Sequence, residues 1–393
     1  MLQLFAVTLL NLKNLPQRLG SSFVVIIGIG GVVAVLLAVM ALATGFRQAI
    51  GSSASVDRAL VLNRGAEVEG GSSIPRTSVS MIMEAPGVVR NAANRPIASA
   101  ETLIIAPVAR KSDGLDAYVT LRGIGPEGLE LRSEIKIIAG RTFAPAIHEL
   151  IVGKAAASRF AGLEIGKRVL LRGGEWTIVG IFESGGSSHE SGLLADAETV
   201  LAAYQRKTFN SVTLKLTDAA SFARFKDALS INPALDVITK RETDYVASAS
   251  KPLTQTLDLL TYAIGGIMAI GALFAALNTM YSAVNTRGVE IATLRALGFG
   301  STTIVVSVLI EAMLLVLIGA LLGVAIVYMG FNGHAISTIG NSQGRSQLIY
   351  QLTVTLESVG IAIALALLLG LVGGLFPAIQ ATRTPIPVGL RKR

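Results

Sequence analysis

The stretch NTRGVEIATLRALGFG, Asn285 to Gly300, lies between two long apolar runs and carries Arg287, Glu290 and Arg295 at helix-like spacing. Its flanks decide the fold. Before it, Leu259 to Thr286 holds no charged residue; after it, the window from about Thr302 to Gly330 holds one, Glu311. A bilayer core about 30 Å thick needs about 20 helical residues, so each flank can cross it. Two further windows qualify: Phe23 to Thr44, 22 residues without a charge, and about Ser358 to Phe376. Within the connection itself, Ile291 and Leu294 share one face of a helix. Gly298 and Gly300 stand where left-handed residues would stop it.

Composition agrees with four spans joined to a water-exposed part. The chain has 393 residues, 51% hydrophobic and only 15% charged, where a soluble protein carries roughly a quarter. It contains no cysteine, which excludes disulfides, cysteine metal sites and a cysteine nucleophile. The net charge of +8 is a topology signal. Lys13 and Arg18, Arg287 and Arg295, and Arg383, Arg391, Lys392 and Arg393 are eight bases against one acid, Glu290, which leaves 26 bases and 25 acids elsewhere. By the positive-inside rule both termini and the Asn285–Gly300 connection are cytoplasmic, and nucleic acid is not an expected partner.

The resulting expectation is an α-helical membrane protein with four transmembrane helices plus a large α+β extracytoplasmic domain between helices 1 and 2. The predicted boundaries are an interfacial amphipathic helix over 1–21, the first span over 22–45, the extracytoplasmic domain over 46–256 and the second span over 257–284. A coupling helix over 285–300, a third span over 301–330, an extracytoplasmic loop over 331–357, a fourth span over 358–377 and a basic tail over 378–393 complete the chain. Phe5, Leu9 and Leu12 form the apolar face of the first segment, which lies on membrane lipid, and Pro16 separates it from the span. Ala41-Leu42-Ala43 resembles a signal cleavage site, but the apolar run exceeds the usual 7–15 residues and is expected to remain as an anchor.

In the large domain, RALVLNR, AYVTLRGI, ELIVGK, KRVLLRG and EWTIVGIF read as strands. SFARFKDALS and ADAETVLAAYQ read as amphipathic helices. Two lobes are compatible with this order. The loops GAEVEGGSSIP and ESGGSSHESG are Gly/Ser-rich and are expected to be mobile.

No GxxxxGK[ST] phosphate loop occurs, and the single GxSxG match, GNSQG over Gly340–Gly344, is followed by the strand-like SQLIYQLTV rather than by the helix that a nucleophile elbow needs. Ser188, His189 and Glu190 are adjacent in a loop, whereas catalytic triads assemble from distant rigid positions. His148, His189 and His334 share no metal-ligand spacing. The chain is therefore not expected to be an enzyme. Gly319 with Gly323, and Gly370 with Gly374, are GxxxG pairs that let helices approach closely, either within the chain or between copies. Glu311 is an intramembrane acid, for which hydrogen bonding to a neighbouring helix and a coupling role are both open.

The segment SAVNTRGVEIATLRALGFGSTTIVVSVLIEA, Ser282 to Ala312, resembles the signature of the FtsX/MacB-like permeases of ABC systems. Arg287, Glu290, Ile291, Arg295, Ala296, Leu297, Gly298 and Glu311 fall on its matching positions. FPAIQATRTPIPVGLRKR is similar to that family's tail through Pro377, Ala378, Ala381, Pro385, Leu390 and Arg391, and IIAGRTFAPAIHELIVGKAAASRF looks like its periplasmic core. Val289 and Gly389 depart from the pattern. The resemblance implies a bacterial inner-membrane permease subunit with no cofactor of its own. A separate cytoplasmic ABC ATPase dimer, which binds the ATP, would dock on the coupling helix. Further implied partners are a second permease copy or paralogue and a periplasmic adaptor protein. The alternative within the family is an FtsX-like regulator that activates a periplasmic cell-wall hydrolase.

Overall fold

A computed structural model of the chain describes residues 19–286, 288–338 and 346–383. The expected interfacial helix up to residue 18, Arg287, and the tail residues Pro385, Leu390 and Arg391 lie outside the described residues. Among the described residues, four helices are long and apolar enough to cross a membrane. They are TM1 (Leu19–Gly51), TM2 (Glu242–Thr286), TM3 (Ser301–Phe331) and TM4 (Leu356–Arg383). TM2 begins at Glu242 rather than at residue 257. Its first turns, ETDYVASASKPLTQ, are too polar for a hydropathy reading to mark, yet Glu242 and Asp244 in the first turn suit a helix N-terminus. The chain divides into two compact bodies, one holding residues up to Thr44, Gln255–His334 and the chain from Leu352, the other holding Gly45–Thr254 and Ala335–Gln351.

In the helical body, Val25, Ile29, Val33 and Leu36 of TM1 pack with Ala272 of TM2, Leu315, Val316 and Ala320 of TM3, and Ala362 and Ala366 of TM4. Lipid supplies little hydrophobic drive between helices, so close van der Waals contact must hold them. The TM1–TM3 seam achieves it with glycine. A Cβ on Gly319 would stand 2.7 Å from the Ile26 carbonyl oxygen, one on Gly30 would stand 2.9 Å from the Gly319 oxygen, and one on Gly323 would collide with the Gly30 carbonyl. Gly370 and Gly374 face TM3 in the same way, against Val316 and against Ala312 with Leu309. All four glycines of the GxxxG pairs thus meet helices of their own chain.

The other body is a mixed sheet. Its strands are β1 (Arg58–Asn63), β2 (Ile74–Pro75), β3 (Ala98–Ala109), β4 (Asp116–Ile124), β5 (Lys136–Gly140), β6 (Glu149–Gly153), β7 (Arg168–Leu171), β8 (Gly174–Glu183), β9 (Leu193–Asp196), β10 (Thr208–Phe209), β11 (Ser211–Lys215) and β12 (Val237–Arg241). Spatial order in the main sheet is β12-β1-β11-β3-β4-β9-β6-β8-β5, with β7 also on β8. β3 joins two cores. Its Ala98 and Ala100 belong to one with Ile74, Ile82, Val212 and Phe225, and its Ile104, Ala106 and Val108 to another with Val119, Leu150, Phe160 and Trp176. A third cluster in the same body gathers Ile124, Ile151, Phe182 and Leu194.

Three sequence expectations change here. The loop over 331–357 is not a bare connection: β13 (Ala335–Ser337) pairs with β14 (Ile349–Gln351), and Ile349 enters the Trp176 core. The backbone N–H of Gln347 donates to the Tyr118 oxygen at 2.7 Å, and the Ser191 hydroxyl donates to the Ile349 oxygen at 3.0 Å. The two Gly/Ser-rich loops are pinned rather than mobile. Buried Glu190 accepts from the N–H groups of Ser184 at 2.6 Å and Gly186 at 2.8 Å, and the other loop places Glu69 and Ser72 in the interior.

Replacing Gly323 by isoleucine should force TM1 and TM3 apart and cost about 1–3 kcal/mol or more by overpacking. Gly28→Ala, which meets nothing within 4 Å, should be neutral. Thermal melts of the full chain in detergent test this; equal melting of Gly323→Ile and wild type would disprove the seam.

Candidate functional site

The connection between TM2 and TM3 folds as a nine-residue helix, Gly288–Ala296. Its C-terminus is closed by two hydrogen bonds, from the Gly298 N–H to the Arg295 oxygen at 3.1 Å and from the Phe299 N–H to the Leu294 oxygen at 3.1 Å. This pairing needs a left-handed residue between, and Gly298 supplies it with φ of +91°. Gly300 differs from expectation: its φ is −65°, and its carbonyl accepts the first N–H groups of TM3. The helix is therefore separated from TM3 by a turn and does not run on into it.

One side of this helix is seated. Ile291 is buried in a cluster with Met280 and Val284 of TM2, Ile304, Val308 and Ala312 of TM3, and Ala378 of TM4, with Leu294 packed alongside. Ile291 and Leu294 therefore share a face, and that face reaches three spanning helices. The opposite side exposes Val289, Glu290, Thr293 and Leu297, while Arg295 is half-buried.

Glu311 lies half-buried on TM3, next to Ala312 of that cluster, and has a polar or electrostatic partner. Among the described residues no group of His, Cys, Asp or Glu could hold a metal ion. His148 stacks on Trp176 with ring centroids 4.6 Å apart, and the Nε2 of His189 is 3.3 Å from the Ser53 carbonyl oxygen. Burial, then the charges of Arg132, Arg122 and Arg58, hold the His189 imidazole well below its ordinary range, so it is neutral.

The sequence reading missed a buried charge lattice in the sheet body. Glu101, on β3, is 1% exposed and binds Arg132 at 2.5 Å and Arg122 at 2.5 Å. Arg122 also grips Glu69 with both nitrogens, at 2.9 and 2.8 Å, and the Ser211 hydroxyl donates to Glu69 at 2.7 Å. Nearby, Arg58 binds Glu242 at 2.5 Å and Glu134 at 2.7 Å. No local motif announces such a lattice, because its members come from segments far apart in the chain. The one available signal is charged residues inside strand-like runs, such as Arg122 in AYVTLRGI.

Burial alone would push the Glu69 carboxyl up, but the Arg122 guanidinium, the Ser211 hydroxyl and the Arg132 charge outweigh it and bring it down from 4.5 to about 2. A carboxylate with a depressed folded pKa stabilises the fold above its unfolded pKa, and that contribution is lost as pH falls toward the folded value. At about 1.4 kcal/mol per pKa unit the contribution is on the order of 3 kcal/mol. Wild-type stability should thus fall between about pH 4.5 and pH 2, with a visibly shallower slope in Glu69→Gln. Melting temperatures across that range decide it, and parallel curves for the two proteins would remove Glu69 from the lattice's energetics.

Comparison with known proteins places both parts of the chain. Residues 22–231 match the family model described as MacB-like periplasmic core domain, and residues 262–386 match the FtsX-like permease C-terminal model. Macrolide export ATP-binding/permease protein MacB of Hahella chejuensis is 25% identical over 228 residues, which cover 56% of this chain and 34% of that protein. The MacB of Bdellovibrio bacteriovorus is 23% identical over 398 residues, 91% of this chain and 57% of that protein. The chain thus spans between about a third and somewhat over half of these relatives. Among solved structures, the periplasmic region of MacB from Actinobacillus actinomycetemcomitans covers 50% of this chain and 92% of its own, with TM-score 0.38 and 14% identity. The extracellular domain of the ABC-type transporter YknZ covers 47% and 99%, with TM-score 0.37 and 14% identity.

Proposed function

We infer the function from one premise: this chain belongs to the FtsX/MacB-like family of ABC permeases. On that premise it is the permease subunit of a MacB-like export or extraction system. It relays ATP-driven motion of a separate ATPase to its sheet domain. The ATPase pair, which carries the ATP, docks on the exposed strip of the Gly288–Ala296 helix. The observation that carries this reading is the seating of Ile291 among TM2, TM3 and TM4, which would turn one push into a movement of three spans.

The same reading sets the topology. The Gly288–Ala296 helix and both termini face the cytoplasm, the sheet domain stands in the periplasm, and the membrane is the bacterial inner membrane. A second permease, either another copy or a paralogue, completes a two-fold assembly on the ATPase dimer, and a periplasmic adaptor is a further partner of the sheet domain. The FtsX-like regulator of a cell-wall hydrolase is the lesser reading, because the match to the MacB-like periplasmic core covers the sheet domain out to residue 231.

Purification from the native host in mild detergent tests the docking site. Wild-type chain should co-elute with an ATPase, and Glu290→Lys combined with Arg295→Glu should reduce that ATPase at least about tenfold, the loss expected when a desolvated charge pair worth 1.4 kcal/mol or more is broken. Undiminished recovery would sink the assignment. Ile291→Ala should keep the ATPase bound yet weaken the chain's effect on ATP hydrolysis, because it loosens the seat without altering the exposed strip. A change in binding with no change in hydrolysis would reverse those roles.

A further inference from the structure

TM1 and TM2 differ in how they leave the sheet body. At the end of TM1 the chain is braced. Gly45 lies directly against the Gln351 carbonyl, closely enough that a Cβ would collide, and the Phe46 ring meets Tyr350 edge-on at 5.6 Å. Just beyond, the Ser55 N–H and the Arg58 guanidinium both bind Glu242, at 2.9 and 2.5 Å. TM1 contains no proline between Leu19 and Gly51.

TM2 starts equally firmly. Buried Glu242 holds the first turn to Ser55 and Arg58, and the Tyr245 hydroxyl accepts the Glu69 N–H at 2.9 Å. Within two turns this support ends. Ala247, Ser248, Ala249, Lys251, Pro252 and Leu253 are all exposed. Pro252 lies inside the helix and has no N–H to donate to the Ser248 carbonyl, while its ring crowds that carbonyl. The neighbouring hydroxyls bond back onto the helix: Ser248 to the Tyr245 oxygen at 2.8 Å, Ser250 to the Ala247 oxygen at 3.2 Å and Thr254 to the Lys251 oxygen at 3.0 Å. Such back-bonding competes with the helical ladder and favours bending.

We propose that Ser248–Thr254 is a hinge in TM2, so that TM1 acts as a braced strut and TM2 as a jointed arm. Three observations meet in one place: a missing ladder donor, three back-bonded hydroxyls and a run of mostly exposed side chains. Its upstream end is fixed by Glu242 and Tyr245, so bending concentrates between those residues and the apolar run that follows. A movement of TM2 relative to TM1 would then be taken up at this segment without breaking the Arg58–Glu242 pair. The hinge is a property of the chain alone and does not require the docking of an ATPase.

The chain lacks cysteine, so paired spin labels can be placed without background. Labels at Asp244→Cys and Leu259→Cys bracket the hinge and would stand about 22 Å apart along a straight helix. Labels at Val35→Cys and Gln48→Cys serve as the TM1 reference. Pulsed electron–electron distance measurements on the full chain in nanodiscs should give a TM2 distribution about twice as wide as that of TM1, as a kinked helix allows. Pro252→Ala should narrow it to the TM1 width and lengthen its mean, and the combined Ser248→Ala, Ser250→Ala, Thr254→Ala variant should narrow it part of the way. A TM2 distribution already as narrow as that of TM1, or one that neither variant changes, would overturn the hinge. Because no ATPase is present, that outcome leaves the docking assignment untouched.

Discussion

A peptide group left unpaired in hydrocarbon costs several kcal/mol, so a chain crossing a bilayer must do so as helices whose hydrogen bonds are internal. That constraint organises this molecule. It confines the polar, irregular backbone to the connections and leaves the helices to associate through shape. At the TM1–TM3 seam the consequence is direct, because Gly30, Gly319 and Gly323 bring one backbone against the other where no side chain fits.

The sheet body answers a different constraint. Glu101, Glu69 and Arg132 are withdrawn from water and Arg122 is half-buried beside them, and a buried charge survives only when partners replace its hydration. Each has them, in a lattice whose geometry permits few alternatives. Arg58 and Glu242 form a second set that joins the chain just after TM1 to the first turn of TM2. Replacing such a lattice with apolar residues could be as stable.

The Gly288–Ala296 helix is anchored by Ile291 to three spans, and the segments leaving TM1 and entering TM2 are clasped by Arg58 and Glu242. Gly298 ends the short helix with φ of +91°, and Pro252 removes one donor from the hydrogen-bond ladder of TM2.

The sequence by itself determined the four spans, the short charged helix between the second and third, and the strands RALVLNR, AYVTLRGI, ELIVGK, KRVLLRG and EWTIVGIF, because each is a local pattern of charge, hydropathy or alternation. The family could also be read there, from residues around Glu290 and Arg295 that lie close together in the chain. Other features needed the tertiary structure. β3 hides in ASAETLIIAPVA, where alanine and proline blur the alternation, and it is defined by β11 and β4 on its two sides. The polar start of TM2, the pinned Gly/Ser-rich loops and the β13–β14 hairpin have no pattern of their own. Their order comes from Glu242 and Ile349 finding partners far away in sequence, and from Glu190 turning inward to accept the N–H groups of its own loop, which only a folded core makes favourable.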